Sequence, residues 1–210
     1  MSRDRDPYDR AVARLTRGLR AGAFGHGQPL HVHRLAADLA ISSTPVREAL
    51  ARLAGEGLIE RASTGYVTPR HDAASLADLY SLDEIYALAA LSSKRRPLAA
   101  WPPTAEAPSL DSHVERTELA LARLGMPESR AFWAARRNLW NRLAPFREAE
   151  TSVLGDLDAE LGRLRLEGGA AASAREVRAY YRRRVRTVSA ILAAAQGRNI
   201  DQIYLEYVSP

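Results

Sequence analysis

Apolar residues first recur at helical spacing at Val12, Leu15 and Leu19, and the run has a defined start and stop. Asp6 offers an oxygen to first-turn N–H groups, and Pro7 sits where a missing N–H costs nothing. Gly22, Gly25 and Gly27 then interrupt the pattern. A shorter helix is predicted over Val32 to Ala40, with Leu35, Ala36 and Leu39 on one face. In ISSTPVREALARLAGEGLIE, Thr44 followed by Pro45 predicts a cap and the start of a third helix. Its apolar stripe is Val46, Ala49, Leu50 and Leu53, and Gly55 and Gly57 end it. Leu58–Arg61 and Tyr66–Thr68 read as short strands joined by a turn at Gly65. Two helices across a tight turn, then a hairpin, predict a winged helix-turn-helix.

The pattern changes near 69–74. Beyond it, helical spacing predicts Ala74–Leu91, Ser109–Leu124, Glu128–Leu143, Phe146–Leu166, Ser173–Ala195 and a last helix near Asn199–Tyr207. Breaks fall at Pro97, Pro102, Pro103, Pro108 and the Gly168–Ala171 stretch. The expected fold is mainly α: a winged helix-turn-helix of three helices plus a hairpin wing at 1–71, and an all-helical bundle at 72–210 for effector binding and dimerisation.

Charge sharpens this division. Residues 1–71 hold 11 Arg against 7 Asp/Glu, whereas 72–210 hold 19 Lys/Arg against 18 Asp/Glu. The excess positive charge therefore sits on the first part, where it attracts a polyanion through counterion release. Lys94 is the only lysine, which with the abundant alanine points to a GC-rich genome rather than to a function. Cysteine is absent, so disulfides, thiolate zinc sites and a cysteine nucleophile are excluded. No apolar run reaches a membrane-spanning length and MSRDRDPYDR lacks a signal-peptide core, so a cytoplasmic location without membrane contact is expected.

A helix-turn-helix presents the N-terminal end of its second helix to the major groove. Here that end carries Ser42, Ser43 and Thr44, whose hydroxyls suit phosphates, and Arg47, opposite the apolar stripe. Two roles stand open for Arg47: a fork on guanine, or a phosphate contact. Thr44 is equally a plain helix cap. The wing turn with Thr64 and Gly65 can approach the minor groove or simply close a hairpin.

ISSTPVREALARLAGEGLIE followed by GYV resembles the signature of the GntR family of bacterial regulators, and LHVHRLAADLA resembles its preceding helices. The resemblance covers about residues 8–70. It implies DNA contacts at Ser42, Thr44 and Arg47, with His33 and Arg34 on the preceding helix. Ser43 stands where that family usually has arginine, which implies a weaker or shifted operator preference.

An all-helical second domain resembles the FadR-like branch, and in it a divergent FCD-type domain. That resemblance implies a small carboxylate effector, often held by a metal on one aspartate and three histidines. Phe132 fits the pattern, but Trp133 and Thr187 stand at histidine positions. The five histidines are His26, His31, His33, His71 and His113, too few in the second domain for such a site. No cofactor and no transition metal are expected, while carboxylate calcium or magnesium sites stay open. Arg136, Arg137 and Trp140 on one helix, with Arg182 and Arg186 on another, are the candidate contacts for an anionic effector. The alternative is a solvated basic stripe paired with Glu148, Glu150, Asp156 or Asp158.

No Walker loop, HExxH motif or informative carboxylate pair is present, so no catalytic residue is assigned and an enzyme is not expected. The expected function is a transcriptional regulator, a repressor, that binds a palindromic double-stranded operator as a homodimer and is released by a small anionic metabolite. The alternative is a ligand-independent architectural or partner-binding DNA-binding protein whose helical domain serves assembly.

Overall fold

A computed structural model describes residues 6–92, 117–118, 121, 130–155, 157–164 and 173–208. By its contacts the chain divides into two units, Met1–His71 with Ala195–Pro210, and Asp72–Ala194.

In the first unit, α1 (Pro7–Ala21) starts on Asp6, whose carboxylate accepts from the Tyr8 N–H. It stops at Gly22, whose φ of 81° is a left-handed cap that glycine adopts without a Cβ clash. Helix α2 (Val32–Asp38) ends two residues before the predicted Ala40, which itself takes a positive φ of 52° in the turn. Helix α3 spans Ser43–Gly55. Strands β1 (Glu60–Ala62) and β2 (Gly65–Val67) pair antiparallel, Glu60 opposite Val67 and Ala62 opposite Gly65. Both are displaced by a residue or two from the predicted strands. Leu58 and Ile59 instead point into the core behind α3. Pro29 bridges Val67, and the Leu30 N–H donates to the Tyr66 carbonyl at 2.8 Å, widening the wing.

The stripe predicted for α3 is buried, with Val46, Ala49, Leu50 and Leu53 fully enclosed against Ala11, Leu15 and Leu35. Burying each leucine contributes about 1.5–3 kcal/mol. This packing fixes which side of α3 faces outward.

Residues 195–210 were expected in the helical domain but pack in the first unit. Their helix α9, numbered last in chain order, covers Ile200–Tyr207. Ile203 and Val208 form an apolar cluster with Ala23, and burial of these side chains sets the placement. Gly18 of α1 allows the approach, because a Cβ there would lie 2.6 Å from a Val208 methyl.

The second unit contains α4 (Ala73–Ser92), α5 (Arg130–Leu154), α6 (Leu157–Leu164), α7 (Ala174–Arg186) and most of α8 (Val188–Gln196). A helix break was expected at 144–145, yet α5 runs through Pro145. An interior proline costs about 3 kcal/mol or more. Burial of Leu143, Ala144, Phe146 and Arg147 around it holds the helix together. The break falls instead at Gly155, with a φ of 74°. The predicted Ser173–Ala195 helix is two helices, because Thr187 leaves helical geometry (φ −108°, ψ 11°) and its hydroxyl donates to the Arg183 carbonyl at 2.9 Å. Ser173 and Glu176 form a reciprocal cap at the start of α7. Of the predicted Ser109–Leu124 helix, only 117, 118 and 121 lie among the described residues, and His113 lies outside them. Among the described residues no helix is long and apolar enough to cross a membrane.

Candidate nucleic-acid interface and a buried charge cluster

The turn after α2 places Ser42 at the N-cap position of α3, so the helix begins two residues before Pro45. The expectation that Thr44 caps α3 is thereby corrected: Thr44 lies in the first turn and is exposed. Ser42 is exposed as well, and its hydroxyl makes no capping bond. The first N–H groups of a helix lack intrahelical acceptors and carry partial positive charge, so this end is suited to an anion. Ser43 and Pro45 are half-buried, whereas Arg47 projects from the face opposite the core. Among the described residues Arg47 has no hydrogen bond or ion pair, so its fork is free for an external acceptor.

His33 and Arg34 are exposed on α2, and Ser63, Thr64 and Gly65 are exposed at the wing tip. Gly65 has a φ of 134°, a value that favours glycine in this turn. The wing is stiffened by Arg61, which donates to the Tyr66 hydroxyl at 3.3 Å and lies over its ring. The apolar core, the α2–α3 turn and the hairpin thus hold three polar segments outward: α2, the start of α3 and the wing.

The candidate effector residues separate. Arg136 and Trp140 come together, the guanidinium 4.7 Å from the indole centroid, and both are buried. Arg137 is exposed on another face of α5. Arg182 and Arg186 are exposed on α7, beside Ala179, Arg183 and Thr187 around a shallow depression. No single cavity among the described residues gathers all five.

Arg136 and Trp140 belong to a buried cluster that the sequence reading did not assemble. Asp83 is its centre and is fully buried. One oxygen accepts from Arg136 Nε at 3.3 Å and Trp140 Nε1 at 3.0 Å. The other accepts from the Tyr181 hydroxyl at 2.8 Å and Arg147 Nη2 at 3.5 Å. Glu150 accepts from Tyr80 at 2.8 Å, Arg147 Nη1 at 3.0 Å and Arg184 Nε at 2.7 Å. Arg184 also reaches Glu160 at 3.0 Å and stacks on Tyr180 at 3.4 Å. Burial pushes the Glu150 carboxyl up, but Arg184 and Arg147 outweigh it and hold it below the ordinary glutamate value. Burial also raises the hydroxyls of Tyr80 and Tyr181, and pushes Tyr180 up to about 12. Three arginines face three carboxylates, but Arg184 Nη2 and Glu160 Oε2 meet at 3.0 Å as an ion pair without hydrogen-bond geometry. Nη1 and Nη2 of Arg136 are buried without an acceptor.

A signal for the cluster does exist in the sequence. Asp83 falls in register with the apolar stripe Leu76, Leu79, Tyr80, Ala87 and Ala90 of α4. Arg184 likewise falls in register with Val177, Tyr180 and Tyr181 of α7. A charge on a buried stripe demands a partner. Trp133, at the position where the family resemblance implies a histidine, is half-buried and packs edge-on against Phe132 and Trp140. Among the described residues no three histidine, aspartate or glutamate side chains converge as metal ligands do.

Residues 7–65 match the family model described as bacterial regulatory proteins, gntR family. The matched segment runs from α1 to the start of β2 and includes the outward-facing end of α3. The helix-turn-helix of this chain is therefore similar to that family over this segment. No match to a curated protein was found. Among solved structures, the chain is similar to E. coli McbR/YncC at 19% identity and a TM-score of 0.48, over 96% of this chain and 99% of that one.

Proposed function

We propose that this protein is a sequence-specific transcriptional regulator that uses the start of α3 to read DNA, with α2 and the wing on the flanking backbone. The exposed end of α3, carrying Ser42, Thr44 and Arg47 without an internal partner among the described residues, is the observation that carries this reading. The family match of the same segment supports it. Ser42 and Thr44 hydroxyls and the helix N-terminus bind phosphate, while Arg47 reaches into the groove. His33 and Arg34 contact the backbone beside the groove, and Thr64 and Gly65 bring the wing to it. Ser43, half-buried, contributes less than an arginine at that position.

One such head covers one half-site, so the regulator binds a palindromic operator as a homodimer and acts as a repressor. The helical unit accepts a small anionic metabolite that releases the operator. Two buried amino groups of Arg136 without an acceptor, stacked beside Trp140, support an oxyanion as the ligand. Arg137, Arg182 and Arg186 would then serve only at the approach, since they are exposed.

Footprinting of the purified protein on genomic DNA tests the reading. The expected result is protection of two inverted half-sites about 10 bp apart, centre to centre, or a multiple of that spacing. Sequence-independent protection would contradict it. Titrating the bound operator with a panel of organic acids tests release: dissociation supports sensing, and retention across the panel supports a purely assembling helical unit.

A further inference from the structure

Helix α9 reaches α2, one of the helices proposed to lie on DNA. The Tyr204 hydroxyl donates to Asp38 Oδ2 at 2.5 Å. The same oxygen lies 3.8 Å from Arg34 Nε, and the Arg34 guanidinium sits 5.6 Å from the Tyr204 ring centroid. Phe24 holds that ring edge-on at 5.4 Å. Further bonds fasten the segment: Arg14 donates to the Val208 carbonyl at 3.3 Å, and Arg198 to the Ala21 carbonyl at 2.9 Å. Tyr204 is thus held in place, while the Arg34 side chain stays 72% exposed.

We infer that Tyr204 is a positioning residue for DNA binding, which keeps Asp38 engaged so that Arg34 is available to a phosphate. The inference rests on the reading that Arg34 touches DNA. Asp38 is the natural competitor of that phosphate, four residues along the same helix. A charge-assisted bond from the Tyr204 hydroxyl occupies one lone pair and draws the carboxylate toward α9. The ring face meanwhile attracts the guanidinium from the side, without occupying its N–H donors. Without the hydroxyl, Asp38 closes on Arg34, and DNA has to break that pair first. The segment 195–208, far from the helix-turn-helix in sequence, is then a working part of the reading head.

The test uses the full chain and the duplex that the wild-type protein selects from a random library, titrated by fluorescence anisotropy over a salt series. Tyr204→Phe keeps the ring and removes only the hydroxyl. It is expected to weaken binding about three- to tenfold, the range of one ordinary net hydrogen bond, because the Arg34 contact is weakened and not lost. The salt slope is expected to become shallower by up to about one phosphate contact. Adding Asp38→Asn in the same chain is expected to restore affinity to near the wild-type value, which loss of a merely structural contact would not do. Unchanged affinity in Tyr204→Phe, or a loss that Asp38→Asn does not restore, overturns the inference. Arg34→Ala separates the two layers. If it binds like wild type, the Arg34 assignment falls and the inference with it. If it weakens binding while Tyr204→Phe is inert, the inference alone falls.

Discussion

Arg136 and Arg184 are equally buried, yet their removal is expected to have very unequal consequences. Arg184→Met strips Glu150 of its 2.7 Å partner and Glu160 of its 3.0 Å partner, and removes the stack on Tyr180. Glu150 keeps Arg147 and Tyr80, but among the described residues Glu160 keeps only Arg183 at 3.7 Å. Breaking a buried pair from one side costs about 3–5 kcal/mol, because a charge is left without compensation. Arg136→Met loses a single 3.3 Å bond to Asp83, worth about 1.5–3 kcal/mol for a charged group, and the face of Trp140. It also removes two buried amino groups without acceptors, each costing about 1–3 kcal/mol. Asp83 keeps Trp140, Tyr181 and Arg147. The two contributions offset each other, and the net change is expected to stay within about 1.5 kcal/mol. Trp133 and Trp140 lie in the second unit, so urea unfolding followed by tryptophan fluorescence reports on it. With a slope of about 2 kcal/mol per M, Arg184→Met lowers the midpoint by roughly 1.5–2.5 M and Arg136→Met by less than about 0.8 M. Equal losses in the two variants would refute the partner accounting.

Glu150, held below its ordinary value of 4.5 by the arginines, contributes stability that is complete above that value and lost as pH falls through the folded one. The fluorescence midpoint is therefore expected to drop below pH 4.5. Glu150→Gln, less stable at neutral pH, should lose less between pH 5 and 3. Gly18→Ala gains about 1 kcal/mol of helix propensity, but its Cβ meets the buried Val208 methyl at 2.6 Å. Overpacking of about 1–3 kcal/mol prevails, and circular dichroism melts are expected to show a net loss. Leu50→Ala opens a cavity under α3 and is expected to cost about 2–5 kcal/mol by urea titration, with operator binding lost near the melting range.

The head was readable because its signals are local. Asp6 with Pro7, the stripe of α3 and the glycine stops act within a turn or two of the backbone they organise. Thr44 misled by being one of three adjacent hydroxyl residues, any of which suits a cap, and packing of α2 against α3 selected Ser42. Pro145 misled because the rule for proline is statistical, and burial on both sides overrode it. The charge cluster was not assembled because Arg184 sits inside RRRVR, where its neighbours Arg182, Arg183 and Arg186 are exposed and only convergence of α4, α5, α6 and α7 distinguishes it. Nothing local tells Ile203 and Val208 which unit to join; their burial partner, Ala23, lies at the other end of the chain.

The central claim, that the exposed end of α3 reads DNA, meets its most direct test in Arg47→Ala, titrated against the selected operator and a scrambled duplex at fixed salt. Arg47 has no internal partner among the described residues, so its removal should leave the fold intact. Loss of a base contact is expected to weaken operator binding by about 1–3 kcal/mol, roughly five- to 150-fold, with little change on the scrambled duplex. An equal loss on both duplexes would assign Arg47 to phosphate and keep α3 on the DNA. Operator binding as tight as wild type would contradict the account.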